Sequence, residues 1–284
     1  MASPFIQGES KVAETICVDS DDEVLQFAGA ELARHLARAT GRQWEVGDGA
    51  PRFTLSIARP GVETLPEDFS PEEDWIVIQR GPDGYRLGGS NPRSVLFAVY
   101  RYLRELGFRW VRPGADGEIV PSVDDPLLPD LNLIERASYP FRTICIEGAC
   151  SREHVLELID WAAKHGMNGY FIQFHNGTCF WQNWYAHEEN PYMDGGRLAP
   201  AEVEEVVGAV IDALNCRGMR LERMGHGWTA RAVGLAGEGW SEEEINLDDT
   251  RRAMLAELDG ERKLFHGVPL NTNLCYSNPD VRQT

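Results

Sequence analysis

Positive charge is scarce in this sequence. Its 27 Lys and Arg residues face 45 Asp and Glu residues, which gives a formal net charge of −18 at pH 7. A surface that follows nucleic-acid phosphates needs clustered Lys and Arg, so we expect no nucleic-acid partner. No stretch approaches the ~20 apolar residues of a membrane span. We therefore expect no membrane partner either.

Several motifs of cofactor and metal chemistry are also missing. No GxGxxG follows a predicted strand, and there is no P-loop. The six cysteines form no CxxC pair, and no HxH or HExxH occurs, so we expect free thiols, no metal and no cofactor. The first residues lack the basic and apolar regions of a secretory signal. We expect a cytoplasmic protein, or a secreted or periplasmic one if a leader has been removed.

The first 120 residues predict a small α+β domain. Apolar residues spaced three and four apart over 24–36 predict one helix, and a similar pattern over 92–106 predicts a second. Between them, two β-rich segments at 75–80 and 84–89 flank a Gly-Pro-Asp-Gly turn, which is typical of a hairpin. Strands and helices that alternate around a hairpin indicate an α+β arrangement.

Residues 121–140 have a different character, with four prolines, many acids and no hydrophobic periodicity, and they predict a linker. After this linker, strands and helices alternate. The expected strands lie at about 141–146, 169–174 and 219–224, and the expected helices at about 151–165, 200–216 and 249–258. Strands joined by helices form a parallel sheet.

A complete (β/α)8 barrel takes ~250 residues, more than the chain offers after its linker. We interpret 141–284 as the first part of a truncated (β/α)8 TIM-type barrel, which makes the fold class α/β. A doubly wound open sheet is the rival fold, but it lacks support from a glycine-rich motif. An incomplete barrel would leave strand edges uncovered, so self-association is expected.

One long segment of the small domain carries a family resemblance. Residues 87–114 read LGGSNPRSVLFAVYRYLRELGFRWVRPG, preceded by AELARHLARATG at 30–41 and followed by GEIVP at 117–121. This concatenation resembles the small α/β domain that precedes the catalytic barrel in family 20 β-N-acetylhexosaminidases and family 67 α-glucuronidases. It is also similar to a bacterial group of glycoside-hydrolase-like proteins of unknown function. The resemblance implies a carbohydrate-active enzyme.

The resemblance continues more loosely into the barrel, where His226 in Arg-Met-Gly-His-Gly matches a histidine that ends the third strand of the hexosaminidases. Two positions depart from the pattern. Glu147 stands where those enzymes place a substrate-gripping Arg, and His175-Asn-Gly-Thr replaces an acidic cluster after the second strand. The catalytic Asp-Glu pair of that family follows a fourth strand that this sequence does not reach. We therefore assign no catalytic residue in this chain.

Polar residues follow the predicted barrel strands, where βα loops form the active sites of barrels. The candidates for substrate binding at these strand ends are Glu147, His175, Asn176, His226 and Trp228. Glu147 either hydrogen-bonds sugar hydroxyls, serves as one of two paired carboxylates, or only caps a helix or pairs with an arginine. The two histidines could share a substrate or, with a third ligand, a metal.

The long loop over 175–199 is rich in aromatic residues. Trp181 and Trp184 either stack on the apolar faces of sugar rings or plug the barrel mouth or cover the small domain. Histidines that fall on predicted helices, His35, His154 and His165, are expected to be solvated or to cap the helices.

Three functions remain open from the sequence. The first is a glycoside hydrolase, or the N-terminal fragment of one, that is hexosaminidase- or glucuronidase-like and acts on an oligosaccharide or polysaccharide. The second is a non-catalytic carbohydrate-binding protein with a degenerate barrel. The third is a metal-dependent barrel hydrolase. A fragment without activity of its own is the purely structural alternative. In the first two cases the expected ligand is a carbohydrate.

Overall fold

The structure is a computed structural model of the chain. It describes residues 13–58, 70, 72–128, 131–146, 151–173, 181, 198–223, 225, 227–235 and 245–283. The chain divides into two compact units. The first unit contains Met1–Arg142, Glu157–Asn168 and Ala213–Met219, and the second contains Thr143–Leu156, Gly169–Asp212 and Arg220–Thr284.

The first unit is built on a mixed six-stranded sheet. Its strands are β1 (Glu14–Val18), β2 (Trp44–Val46), β3 (Pro51–Ile57), β4 (Trp75–Arg80), β5 (Tyr85–Gly89) and β8 (Leu133–Arg136). They lie in the order β2-β1-β3-β5-β4-β8. The pairs β1–β2, β1–β3 and β3–β5 are parallel, whereas β4 is antiparallel to both of its neighbours. The predicted hairpin is therefore confirmed as β4–β5. A separate short pair joins β6 (Arg109–Trp110) to β7 (Glu118–Ile119).

Two helices of this unit begin and end at the residues that their sequence indicates. In α1 (Glu23–Thr40), the Asp22 carboxylate accepts from two backbone N–H groups of the first turn, and Gly41 ends the helix at φ 66°. In α2 (Pro92–Leu106), the Asn91 side chain caps the first turn, and Gly107 ends the helix at φ 108°. Polar side chains that accept from free N–H groups, and glycines in the left-handed region, are standard helix boundaries.

Strand β8 falls inside the proline-rich stretch that predicted a linker. Its residues pair with β4 in antiparallel register, with Leu133 opposite Ile78 and Arg136 opposite Trp75. The chain just before it is held by two buried tyrosines, since the Tyr102 hydroxyl donates to the Pro126 carbonyl and the Tyr85 hydroxyl donates to the Leu128 carbonyl. This stretch therefore completes the edge of the sheet.

A buried polar cluster lies under the C-terminal half of α1. The His35 side chain is fully buried, with Nδ1 2.7 Å from the Glu31 carbonyl and Nε2 3.1 Å from Glu118 Oε1. The Trp110 indole donates to the same carboxylate oxygen at 2.8 Å, and Arg38 pairs with the other oxygen. The expectation that His35 is solvated or a cap is therefore wrong. The ring fills the core because every one of its polar atoms has a partner.

The Glu118 carboxyl makes this cluster sensitive to acid. Burial acts to raise the pKa of Glu118, but hydrogen bonds from His35, Arg38 and Trp110 outweigh it and hold the pKa far below the ordinary 4.5. A carboxyl with a depressed folded pKa stabilises the fold fully above its unfolded pKa, and this contribution is lost as the pH falls towards the folded value.

We predict that Glu118→Gln lowers the free energy of unfolding at pH 7 by about 2 kcal/mol, because buried donors lose a charged acceptor. The deficit relative to the parent shrinks at pH 3, since the parent then loses its own contribution. Urea denaturation at both pH values measures this. Glu45→Gln, at an exposed position on β2, is the control and keeps the parent's pH dependence. A stability deficit that is equal at both pH values contradicts the depressed pKa assigned to Glu118.

The second unit contains a three-stranded parallel sheet. Its strands β9 (Thr143–Ile146), β10 (Gly169–Ile172) and β11 (Arg220–Arg223) lie side by side in that order. Helix α3 (Arg152–Lys164) connects the first two strands in the chain, and α4 (Pro200–Asn215) connects the second to the third. The predicted parallel arrangement is confirmed. The incomplete barrel stays a prediction, because three such strands occur in barrels and in open parallel sheets alike.

The end of the chain forms a small apolar cluster. Its buried members are Val233, Leu255, Leu264, Leu274 and Val281. Helix α5 (Trp228–Ala232) and helix α6 (Asp249–Met254) are both short, and β12 (Glu257–Leu258) pairs with β13 (Glu261–Arg262) in a hairpin. The helix expected over 249–258 thus ends earlier than predicted, because Leu255 is extended and bridges Leu274, and Glu257–Leu258 pairs in the hairpin.

Among the described residues, none of the helices has the combined length and apolar character needed to cross a membrane. The described cysteines Cys17, Cys145, Cys216 and Cys275 are free thiols.

Candidate functional site

The candidate site is the edge of the second unit's sheet at which all three strands end. In the register, Ile172 of β10 lies opposite both Ile146 of β9 and Arg223 of β11. Glu147 is the next residue after β9. His175 comes three residues after Ile172, and His226 comes three residues after Arg223. Parallel strands end at one edge of their sheet, and these three residues follow neighbouring strands in the sequence at that edge.

Five of the seven candidate residues fall outside the described part of the chain: Glu147, His175, Asn176, Trp184 and His226. Their roles stay predictions. The other two are described. Trp181 is fully buried, whereas Trp228 begins α5 and is 45% exposed. A buried indole shapes a pocket by packing, while an exposed one has a ring face that a ligand can contact.

Glycines on both sides of His226 are required by the backbone. Gly225 has φ 98° and Gly227 has φ 93°, in the left-handed region that residues with a side chain disfavour. A Cβ added at Gly225 would also lie 2.4 Å from the carbonyl oxygen of Gln173, the residue that follows β10. The chain segments that leave β10 and β11 therefore approach each other at backbone distance, which explains the Gly-His-Gly sequence.

One face of the sheet carries polar groups that sequence reasoning missed. Thr143 Oγ1 of β9 donates to Glu222 Oε1 of β11 at 2.7 Å, across the intervening strand. The contact is possible because Gly169 of β10 has no side chain, and a Cβ there would lie 2.4 Å from Thr143 Oγ1. Cys145 is exposed on this same face. A carboxylate acceptor thus lies on this polar face. The sequence pattern that could have indicated it is the alternation of polar residues along the strands.

On the opposite face of the sheet, the side chains of the central strand β10 are buried. Tyr170 and Ile172 of β10 are both fully buried. The Tyr170 hydroxyl has no hydrogen-bond partner within the described part of the chain, and burial raises its pKa above the usual value. Side chains alternate between the faces of a strand, so Tyr170 and Ile172 pack on the face opposite to the one that carries Thr143 and Glu222.

A metal hypothesis would combine Glu147, His175 and His226, all of which lie outside the described residues. Among the residues that are described, no group of three His, Cys, Asp or Glu side chains comes close enough to hold a metal ion.

Solved structures share this arrangement of strands and helices. A GH138 enzyme that targets pectin rhamnogalacturonan II aligns with a TM-score of 0.53 and 10% sequence identity, over 85% of this chain and 28% of its own. The Streptomyces plicatus N-acetyl-β-hexosaminidase, solved in complex with Thio-NAglucal, aligns with a TM-score of 0.50 and 18% identity over 97% of this chain. The fold is glycoside-hydrolase-like.

A third structure agrees with this result. The GH20 β-N-acetylhexosaminidase of Streptomyces coelicolor A3(2) aligns with a TM-score of 0.50 and 17% identity over 97% of this chain. The present chain spans 51% of the length of both Streptomyces enzymes. No protein-family model matches the sequence, and no curated protein matches it. The structural likeness therefore identifies the fold.

Proposed function

We propose that this chain contributes one wall of the sugar-binding site of a glycoside hydrolase. Glu147, His175, Asn176 and His226 would hydrogen-bond the hydroxyl groups of one sugar residue, and the exposed ring of Trp228 would contact an apolar sugar face. The observation that carries the proposal is the strand order β9-β10-β11, which brings the chain out of three neighbouring strands at one edge. The glycoside-hydrolase-like fold supports it.

The chemistry of these side chains suits a neutral or N-acetylated sugar. Imidazole nitrogens and the Asn amide can both donate and accept hydrogen bonds, and the carboxylate accepts them, which matches the mixed character of sugar hydroxyls. Binding pockets combine a few such polar groups with aromatic walls. The two candidate acids play different parts in this proposal, since Glu147 follows a strand end and Glu222 lies on the polar face of the sheet, held by Thr143.

The finer proposal is hexosaminidase- or glucuronidase-like hydrolysis of an oligosaccharide or polysaccharide by the whole enzyme. The general acid is outside the proposal. Glycoside hydrolysis commonly needs two carboxyl groups about 5–10 Å apart, and one carboxylate at a strand end supplies only half of such a pair. Sugar binding is accordingly the function that we assign to this chain, and turnover is the property to be tested separately.

The test is calorimetric titration of the full chain with N-acetylglucosamine, glucuronate and glucose, together with hydrolysis of aryl N-acetylhexosaminides, glucuronides and neutral glycosides. We predict that His175→Ala weakens sugar affinity at least tenfold, about 1.4 kcal/mol, because hydrogen bonds to the ligand are lost. His154→Ala, at an exposed position in the first turn of α3, is the matched control and leaves affinity unchanged.

The outcomes separate the alternatives. If the parent chain binds sugar and hydrolyses a glycoside, and His175→Ala loses the binding, the result supports a glycosidase site. Binding without turnover identifies a carbohydrate-binding protein, and stoichiometric metal by elemental analysis, removed by His175→Ala, identifies the metal-dependent alternative. If no sugar binds and no aryl glycoside is cleaved, the proposed function is refuted.

A further inference from the structure

The first unit contains a cavity whose lining has more cationic than anionic side chains, although the protein as a whole is acidic. Its volume is about 290 Å³, and its lining includes five permanent cations, Arg101, Arg104, Arg136, Arg142 and Lys164, but only two acids, Asp74 and Glu135. The chain as a whole carries a net charge of −18. A local excess of positive charge in so acidic a protein indicates a place that attracts anions.

Four of these five cations already have carboxylate partners. Arg101 pairs with Glu135, and Arg142 pairs with Asp74. Arg136 and Lys164 pair with acids that do not line the cavity, Glu73 and Asp160 respectively. Pairing of this kind neutralises the charge and occupies at least one hydrogen-bond donor of each side chain. These four side chains therefore shape the cavity more than they bind a ligand.

Arg104 is the exception. It lies in the last turn of α2, and its Nη2 donates to the Lys164 carbonyl oxygen at 3.0 Å. Within the part of the chain that the structure describes, the guanidinium has no carboxylate partner. A guanidinium presents five N–H groups in a planar fork, so most donors of Arg104 remain available. A fork of this geometry matches the two oxygens of a carboxylate or phosphate.

The surroundings of Arg104 raise the energy of its charge. Burial lowers the pKa of Arg104 below its usual value, and the neighbouring charges of Arg101 and Arg109 lower it further, while the charge of Glu135 acts in the opposite direction. A guanidinium still carries its full charge at neutral pH. An anion that enters the cavity would relieve this repulsion further, because the charge of Glu135 offsets it only in part.

Part of the remaining wall of the cavity is apolar. Ile76, Phe97 and Ala163 line it, and each is buried. Ligand pockets usually measure ≈ 300–1,000 Å³, so a cavity at the lower limit admits a molecule no larger than a single sugar. A small ligand with one anionic end and one less polar face would satisfy both parts of the lining.

We propose that this cavity binds a small oxyanion, either a carboxylate or a phosphate, through the free donors of Arg104. The ligand is at most the size of a monosaccharide, as glucuronate and phosphate are. The site belongs to the first unit and is separate from the strand-end site of the second unit. The anion makes a bidentate contact with the guanidinium, and the paired arginines around it exclude competing cations.

The experiment is calorimetric titration of the full chain with phosphate, glucuronate and glucose, repeated with Arg104→Gln and Arg104→Lys. We predict that Arg104→Gln weakens anion affinity at least tenfold, since a charge-assisted bidentate contact is lost. Arg104→Lys keeps the charge without the fork and gives an intermediate affinity. The control is Arg109→Gln, which removes a neighbouring charge outside the lining and changes affinity by about twofold or less.

Two further arms identify the source of the anion and separate this site from the sugar site. Phosphate binding without glucuronate binding assigns a phosphate ligand, and the reverse assigns an acidic sugar. His175→Ala leaves Arg104-dependent binding intact, so failure of the proposed sugar site does not affect this result. Urea denaturation of each variant checks that it is folded. Undiminished affinity in folded Arg104→Gln overturns the proposal, as does the absence of binding by either anion up to about 10 mM.

Discussion

Replacing Asp74 by alanine is expected to lower the free energy of unfolding by about 3–5 kcal/mol, the usual cost of removing one partner from a buried ion pair. Asp74 is only 3% exposed. Its Oδ1 accepts from Arg93 Nε at 3.0 Å and from Ser94 Oγ at 2.7 Å, and its Oδ2 accepts from Arg142 Nη2 at 2.5 Å and Asn168 Nδ2 at 3.1 Å. The variant leaves all of these donors in the protein interior without their acceptor.

The pKa of Asp74 also predicts that its loss destabilises the fold. Burial acts to raise the pKa of Asp74, but the charge of Arg93 and the hydrogen bonds from Arg142, Ser94 and Arg93 outweigh it, so the pKa lies below the ordinary value. The folded state therefore favours the ionised carboxylate. Asp74→Asn keeps the shape but not the charge, and it should still be clearly destabilising.

Chemical denaturation monitored by tryptophan fluorescence measures these losses. Asp48→Ala, which removes an exposed carboxylate, is the control and should change stability by no more than about 0.5 kcal/mol. If Asp74→Ala and Asp48→Ala unfold at the same urea concentration, the network around Asp74 contributes nothing to stability and our interpretation is wrong.

Phe53→Ala is expected to cost about 3–5 kcal/mol, since it removes a large ring from a closely packed core. Phe53 is fully buried on β3. Its ring centroid lies 5.2 Å from that of Tyr102, 5.7 Å from that of Trp44 and 6.3 Å from that of Tyr85. Tyr85 and Tyr102 also hold the chain before β8 through their hydroxyl groups, so a cavity at Phe53 loosens that segment as well.

Graded replacement distinguishes packing from other causes. Phe53→Leu keeps most of the volume and should cost less than about 1.5 kcal/mol. Phe265→Ala removes a ring that is 51% exposed, and its effect should stay within about 0.5 kcal/mol. The measurement is again urea denaturation, with near-ultraviolet circular dichroism reporting the tyrosine environment. Equal losses for Phe53→Ala and Phe53→Leu would show that the cavity is not the cause.

The helices and the hairpin of the first unit could be predicted because their signals are local. Asp22 and Asn91 cap the two helices, and Gly41 and Gly107 end them, each within a few residues of the periodic apolar pattern. Strand β8 could not be predicted in this way. Its four residues become a strand only because β4, more than fifty residues earlier, offers a free edge.

The candidate site shows the same division. Adjacent parallel strands follow from the alternation of strands and helices, so the order β9-β10-β11 was within reach of the sequence. The bond between Thr143 and Glu222 was not, because it joins residues 79 positions apart and depends on the missing side chain of Gly169. Burial of His35 was missed for a similar reason, since its partner Glu118 lies on a distant short strand.

The first unit is discontinuous along the chain, and this affects how the protein is made. Glu157–Asn168 and Ala213–Met219 belong to it, and Arg217 donates to Asp160 at 2.9 Å between these two late segments. Domains generally fold from the N-terminus during synthesis at ≈ 5–20 residues per second. Translation supplies the last segment of the first unit directly before β11, so a nascent chain cannot finish this unit until two strands of the second have been synthesised.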